Sequence, residues 1–131
     1  FESTTSADLA TFYLAKIKFN NNELESAQKY VELYLKSNYN QIMFEASSKI
    51  LADIYFRQDD IAEAIRVMDL SLKNCSNPFN CRSLKLMKAF YLVEKGDSDA
   101  ANNLLLEVKA HKDLEVGQKQ QVEELIGRLA G

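Results

Sequence analysis

The chain has 131 residues with one proline, four glycines and a net charge of −3. With 47% of its residues apolar and so few helix breakers, it is expected to fold as an all-α globular domain with a continuous core. The mildly acidic balance offers no footprint for nucleic acid or for an acidic membrane surface, and no apolar run reaches the ~20 residues that span a bilayer.

Phe1 stands where an initiator Met would be. The expectation is an excised or processed segment, with any signal peptide or membrane anchor lying ahead of it.

In chain order, the first helix begins near Ala7, with Leu9, Phe12, Tyr13, Ile17 and Phe19 at three- and four-residue intervals. Asn20-Asn21-Asn22 interrupts it, and Asn22 with Glu25 reads as a capping box opening a second helix of Leu24, Ala27, Tyr30, Val31 and Tyr34. Asn40 is an expected N-cap for the third, which carries Ile50, Leu51, Ile54, Tyr55 and Phe56. Asp60 and Glu63 form a second capping box before the stripe Ile61, Ala64, Ile65, Met68 and Leu72. Leu84, Met87, Phe90, Tyr91 and Val93 mark the fifth helix. After the Gly96-Asp97 turn, Ala101, Leu104, Leu105 and Val108 mark the sixth. A seventh, from about Leu114 to Ala130, sets Val116, Val122, Leu125, Ile126 and Leu129 against polar residues that include Gln118 and Arg128.

These elements repeat. Ala27, Ala64 and Ala101 lie 37 residues apart, and so do Ala15, Ala52 and Ala89. Large apolar positions keep the same register: Ile17, Ile54 and Tyr91; Phe19, Phe56 and Val93; Val31, Met68 and Leu105. A helical hairpin used three times is the simplest source of such a pattern. The small residues belong at the closest helix crossing, where axes approach to roughly 8–10 Å. The expected fold is an α-solenoid of three hairpins, over about 7–39, 44–76 and 81–113, closed by a capping helix over about 114–130. All of it forms one domain.

The run from Leu51 to Ile65, with Ala52, Ile54, Tyr55, Phe56, Asp60 and Ala64, resembles the tetratricopeptide repeat. The first unit matches at Leu14, Ala15, Ile17, Leu24 and Ala27, with Asn22 where a turn glycine is usual. The third keeps Gly96-Asp97 and Ala101 but has Lys88 in place of a leucine. The period exceeds the family's usual 34 residues by three, which is expected to lengthen the loops around Ser37–Asn40 and Asn74–Asn80. The segment from Lys112 to Leu129 is similar to the close of membrane-anchored, periplasmic tetratricopeptide proteins akin to the ancillary subunit of the Sec translocon. That resemblance implies a periplasmic protein anchored in the bacterial inner membrane by a segment absent here. It also implies partners among the translocon, periplasmic chaperones and secreted chains. The alternative is a cytoplasmic assembly or self-association domain of a longer regulatory protein.

In such arrays the first helix of each pair lines a groove. The resemblance places Phe12, Lys16, Phe19 and Asn20 there from the first unit, and Lys49, Asp53, Phe56 and Arg57 from the second. Leu86, Phe90, Val93 and Glu94 come from the third. The expected ligand is an amphipathic helix or extended apolar peptide anchored on Phe19, Phe56 and Phe90. Positions that grip acidic chaperone tails in some relatives hold Phe12, Lys16, Ile50, Ser83 and Met87, which is not a carboxylate clamp.

Five residues separate Cys75 from Cys81, enough for the alpha carbons to come within the ~4.4–6.8 Å of a disulfide. Two reduced cysteines in a cytosol fit the spacing equally. The lone histidine, His111, is too distant in sequence to complete a zinc shell with them and reads as a cation at a helix end. No metal site, cofactor or catalytic set is expected, and the chain is not read as an enzyme.

Overall fold

The computed structural model describes residues 2–37 and 41–131, with side chains at 6–36 and 43–131. The described residues form seven helices and no strand: α1 (Glu2–Asn20), α2 (Leu24–Ser37), α3 (Gln41–Arg57), α4 (Ile61–Lys73), α5 (Pro78–Lys95), α6 (Ser98–Lys109) and α7 (Val116–Ala130). None of these helices is long and apolar enough to cross a membrane. The contacts define two compact units, one through Val67 and one from Met68 onward. In the first, α1, α2 and α3 pack on one another; in the second, α5, α6 and α7 do.

Three turns of one geometry build the hairpins. Asn22, Asp59 and Gly96 take the left-handed conformation at φ 61°, 66° and 92°. After each, the next amide reaches back to a carbonyl five residues earlier: Glu23 to Lys18 at 2.9 Å, Asp60 to Tyr55 at 2.8 Å and Asp97 to Leu92 at 2.9 Å. The left-handed residue bonds the carbonyl three before it, Asn22 to Phe19, Asp59 to Phe56 and Gly96 to Val93. This is the Schellman ending, which satisfies carbonyls that a helix terminus leaves without partners. Asn22 therefore ends α1 rather than capping α2, so the expected Asn22–Glu25 box does not form. The Asp60 box forms by half: Asp60 Oδ1 accepts from the Glu63 amide at 3.3 Å, while the Glu63 carboxylate pairs with Arg66. Asp97 caps α6 in the same manner, accepting from the Ala100 amide.

All six alanines of the 37-residue series, Ala15, Ala27, Ala52, Ala64, Ala89 and Ala101, are fully buried. In the second unit Leu86, Ala89, Leu105, Val108, Val122 and Leu125 form the core, flanked by Phe90, Val93, Leu104, Leu114, Ile126 and Leu129.

Several boundaries and faces differ from expectation. The first helix starts at Glu2, a turn and more before Ala7. Its apolar residues are spread round the helix rather than gathered on one side, so periodicity alone does not fix its inner face. Phe12 and Ala15 point inward, while Leu9, Tyr13, Leu14 and Ile17 are exposed. The third repeat opens at Pro78, whose fixed φ and missing N–H suit a first helical position. Its N-cap is Asn77, accepting from the Asn80 amide at 3.0 Å, so the loop after α4 is shorter than the expected Asn74–Asn80. Val116 is exposed at the start of α7, whereas Gln118, expected outside, is buried. The expected Asn40 cap and the expected longer loop over residues 38–40 fall outside the described residues.

Candidate functional site

In the first unit the last turns of α1 and α3 lie side by side. Phe19 is half-buried, and the Arg57 guanidinium sits over its ring, 4.3 Å from the centroid. Arg57 Nε donates to Asp53 Oδ2 at 3.1 Å, one turn back on α3, and Nη1 donates to Asn22 Oδ1 at 3.5 Å. A guanidinium on an aromatic face gains about 0.5–1 kcal/mol at such a site. The paired carboxylate adds orientation more than stability. Lys16 and Asn20 are exposed on the same end of α1. Phe56 and Lys49 are half-buried; burial pulls the Lys49 ammonium below its ordinary pKa, and the Glu45 charge partly opposes the fall.

The second unit repeats the device with different residues. Arg128 of α7 lies over Phe90 of α5 at 5.7 Å and pairs with Glu94, four residues beyond that ring. Phe90 and Val93 pack against the core of this unit while keeping part of their surface open. Arg57 and Arg128 are 42% and 43% exposed at the side chain, and their carboxylates 30% and 31%. Both guanidinium groups therefore keep hydrogen-bond donors within reach of an incoming chain.

Two residues expected in the groove are elsewhere. Phe12 is buried between α1 and α2, with its ring 5.8 Å from that of Tyr34 and 5.4 Å from that of Tyr13. Leu86 belongs to the core of the second unit. Both follow from the same cause: their places on the helix put them on the side facing the other helix of the hairpin. Phe19 and Phe90, two of the three expected anchors, each carry an arginine of the chain itself.

Two polar groupings have no counterpart in the sequence reading. Along α2 and α3, Gln58 donates to Gln28 Oε1 at 3.3 Å, Gln28 donates to Glu32 at 3.1 Å, and the Tyr55 hydroxyl donates to Glu32 at 3.4 Å. Burial, and then the charge of Glu32, raise the Tyr55 phenol above its ordinary pKa. In the second unit the buried Arg82 donates from Nε to Gln118 Oε1 at 3.1 Å and reaches Asp113 at 3.6 Å. Gln118 in turn donates to the Phe79 carbonyl at 3.1 Å. Arg82 follows Cys81, which is joined to Cys75 in a disulfide with alpha carbons 5.7 Å apart. That bridge ties the connection just after α4 to the first turn of α5. His111 is exposed just past α6, its amide donating to the Val108 carbonyl.

Among the described residues no three His, Cys, Asp or Glu side chains come together as a metal site. Compared with known proteins, the chain matches no protein-family model and no curated protein.

Proposed function

We propose that the chain is a tetratricopeptide-like protein-interaction module whose two units each offer a surface for a peptide segment of another protein, one on α1 and α3 and a separate one on α5 and α7. The observation that carries the reading is the duplicated surface cluster of ring, guanidinium and carboxylate: Phe19, Arg57 and Asp53, and Phe90, Arg128 and Glu94. Each offers an apolar ring margin beside half-exposed N–H donors, which suits a chain with alternating apolar side chains and free carbonyls or carboxylates. Lys16 and Asn20 extend the polar margin of the first cluster.

The Cys75–Cys81 bridge supports an oxidising compartment. Together with the resemblance of residues 112–129, this favours the periplasmic face of a bacterial inner membrane, in assistance to secreted or envelope proteins.

Photo-crosslinking tests the surface and the compartment together. A photoreactive amino acid replaces Lys16 in the cells that make the protein, and adducts are identified by mass spectrometry. Adducts to translocon components, periplasmic chaperones or secreted chains are expected, and Arg57→Ala should reduce their yield severalfold. Adducts only to cytoplasmic proteins overturn the compartment. No protein adduct from Lys16 or from Asn20 overturns the surface.

A further inference from the structure

We propose that the Cys75–Cys81 bridge is a redox switch: opened by a protein dithiol, it frees the first turn of α5 and, with it, the N-terminal turns of α7. The bridge lies where a reducing protein can reach it. Both cysteines are half-buried, and Asn74, Ser76, Asn77, Pro78 and Phe79 around them are exposed. Disulfides open to solvent in this way are the exchangeable ones.

The ring that the bridge closes, residues 75–81, contains the N-cap of α5 and its first residues. The Asn77 side chain accepts from the Asn80 amide at 3.0 Å, and the Asn77 carbonyl accepts from the Cys81 amide at 2.9 Å. Both bonds lie inside the ring, so neither ties it to the rest of the unit. Outward, α7 holds it. Gln118 donates to the Phe79 carbonyl at 3.1 Å and accepts at 3.1 Å from Arg82, the residue after Cys81. One amide group of α7 thus reads two positions on either side of Cys81, and both bonds need the first turn of α5 in its helical geometry. Arg82 and Gln118 are each 5% exposed, so a displaced turn leaves buried polar groups without these partners. The first turn of α5 and the start of α7 therefore open together.

The chemistry is thiol–disulfide exchange. A thiolate of the reducing dithiol attacks Cys75 Sγ, the bond to Cys81 Sγ breaks, and Cys81 leaves as a thiolate. Cys81 sits in the first turn of an 18-residue helix, where free amides and the helix dipole stabilise negative charge. The second thiolate of the reducing protein then attacks its own sulfur in the mixed disulfide and releases Cys75. Two electrons pass to the chain, the two protons of the dithiol end on Cys75 and Cys81, and the reducing protein leaves as a disulfide. Because α7 also brings Arg128 to Phe90, the switch reaches the second surface cluster. That consequence rests on the function proposed above, whereas the opening itself does not.

Hydrogen exchange read by mass spectrometry on the 131-residue chain, bridged and after treatment with dithiothreitol, tests this. Reduction should speed exchange at least tenfold over residues 81–84 and 119–122, while residues 104–108 of α6 stay within about twofold. The double variant Cys75→Ser, Cys81→Ser should match the reduced chain with or without the reagent. Reoxidation with oxidised glutathione should restore slow exchange. Linkage supplies a second readout, because an anchor that the bridge stabilises must stabilise the bridge in return. Gln118→Leu should shift the equilibrium of the bridge in a glutathione buffer severalfold toward the reduced form, and Val116→Ser should leave it unchanged. The proposal is overturned by a bridge that opens only in denaturant, by equal exchange over 119–122 in the two states, or by exchange that quickens throughout the unit. A bridge equilibrium indifferent to Gln118 overturns it as well. These readouts need no peptide, so a failed crosslink from Lys16 or Asn20 removes the binding surface and leaves the switch standing.

Discussion

At the scale of single residues, the three left-handed turn positions solve one geometric problem with three side chains. Glycine meets no steric cost there, and Asn and Asp tolerate the region better than other residues because their short polar side chains bond locally. A Cβ added at Gly96 would find nothing within 4 Å, so substitution there tests backbone strain alone. Gly96→Ala should cost about 1 kcal/mol in a denaturant melt. Gly96→Asn, which copies Asn22, should cost measurably less. Equal losses in the two variants would mean that strain is not what selects these residues. The same reasoning explains why the Asn20-Asn21-Asn22 break was legible, although the role assigned to Asn22 was one helix too late.

Among elements, α7 is attached by more than its apolar stripe. Val122 and Leu125 enter the core of the second unit, and Gln118 supplies a buried polar anchor between Arg82 and the Phe79 carbonyl. A buried guanidinium that loses one of its acceptors keeps its desolvation penalty without that compensating bond. Gln118→Leu should therefore lower stability by about 2–3 kcal/mol. Val116→Ser, at an exposed position on the same helix, should stay within about 0.5 kcal/mol. Adding Arg82→Met to Gln118→Leu should recover part of the loss, because the buried cation left with only the longer Asp113 contact is then gone. A double-mutant cycle from thermal or urea unfolding measures the coupling. This anchor also fixes the first turn of α5, where the Cys75–Cys81 bridge already holds the chain.

Over the whole molecule, the 37-residue period sets where bulk is refused. Ala27, Ala64 and Ala101 occupy one place in three hairpins, and each is fully buried. Ala64→Leu should overpack its site and cost about 1–3 kcal/mol, with Ala27→Leu and Ala101→Leu falling in the same range. Ala10→Leu, on the open face of α1, should cost under about 0.5 kcal/mol in dilute solution. Unfolding curves on the four variants check the pattern. A small loss at Ala64 would mean that its surroundings yield, and that the repeat period reflects something other than close packing.

The sequence by itself determined the helical class, the three hairpins and the small residues within them. These depend on local rules: side-chain period, helix-ending residues and the recurrence of alanine, each written within a few dozen residues of itself. It could not decide which side of α1 faces inward, because apolar residues spread round a helix leave no unique stripe to read. The same limit sent Phe12 and Leu86 to an expected groove when neighbouring helices bury them. Arg57 covers a ring 38 residues away, and Gln118 holds an arginine 36 residues away. Neither separation carries a local signature, since a cation over an aromatic face is defined by where two helices end in space. Only the tertiary structure brings those ends together, and with them the surface on which the proposed binding depends.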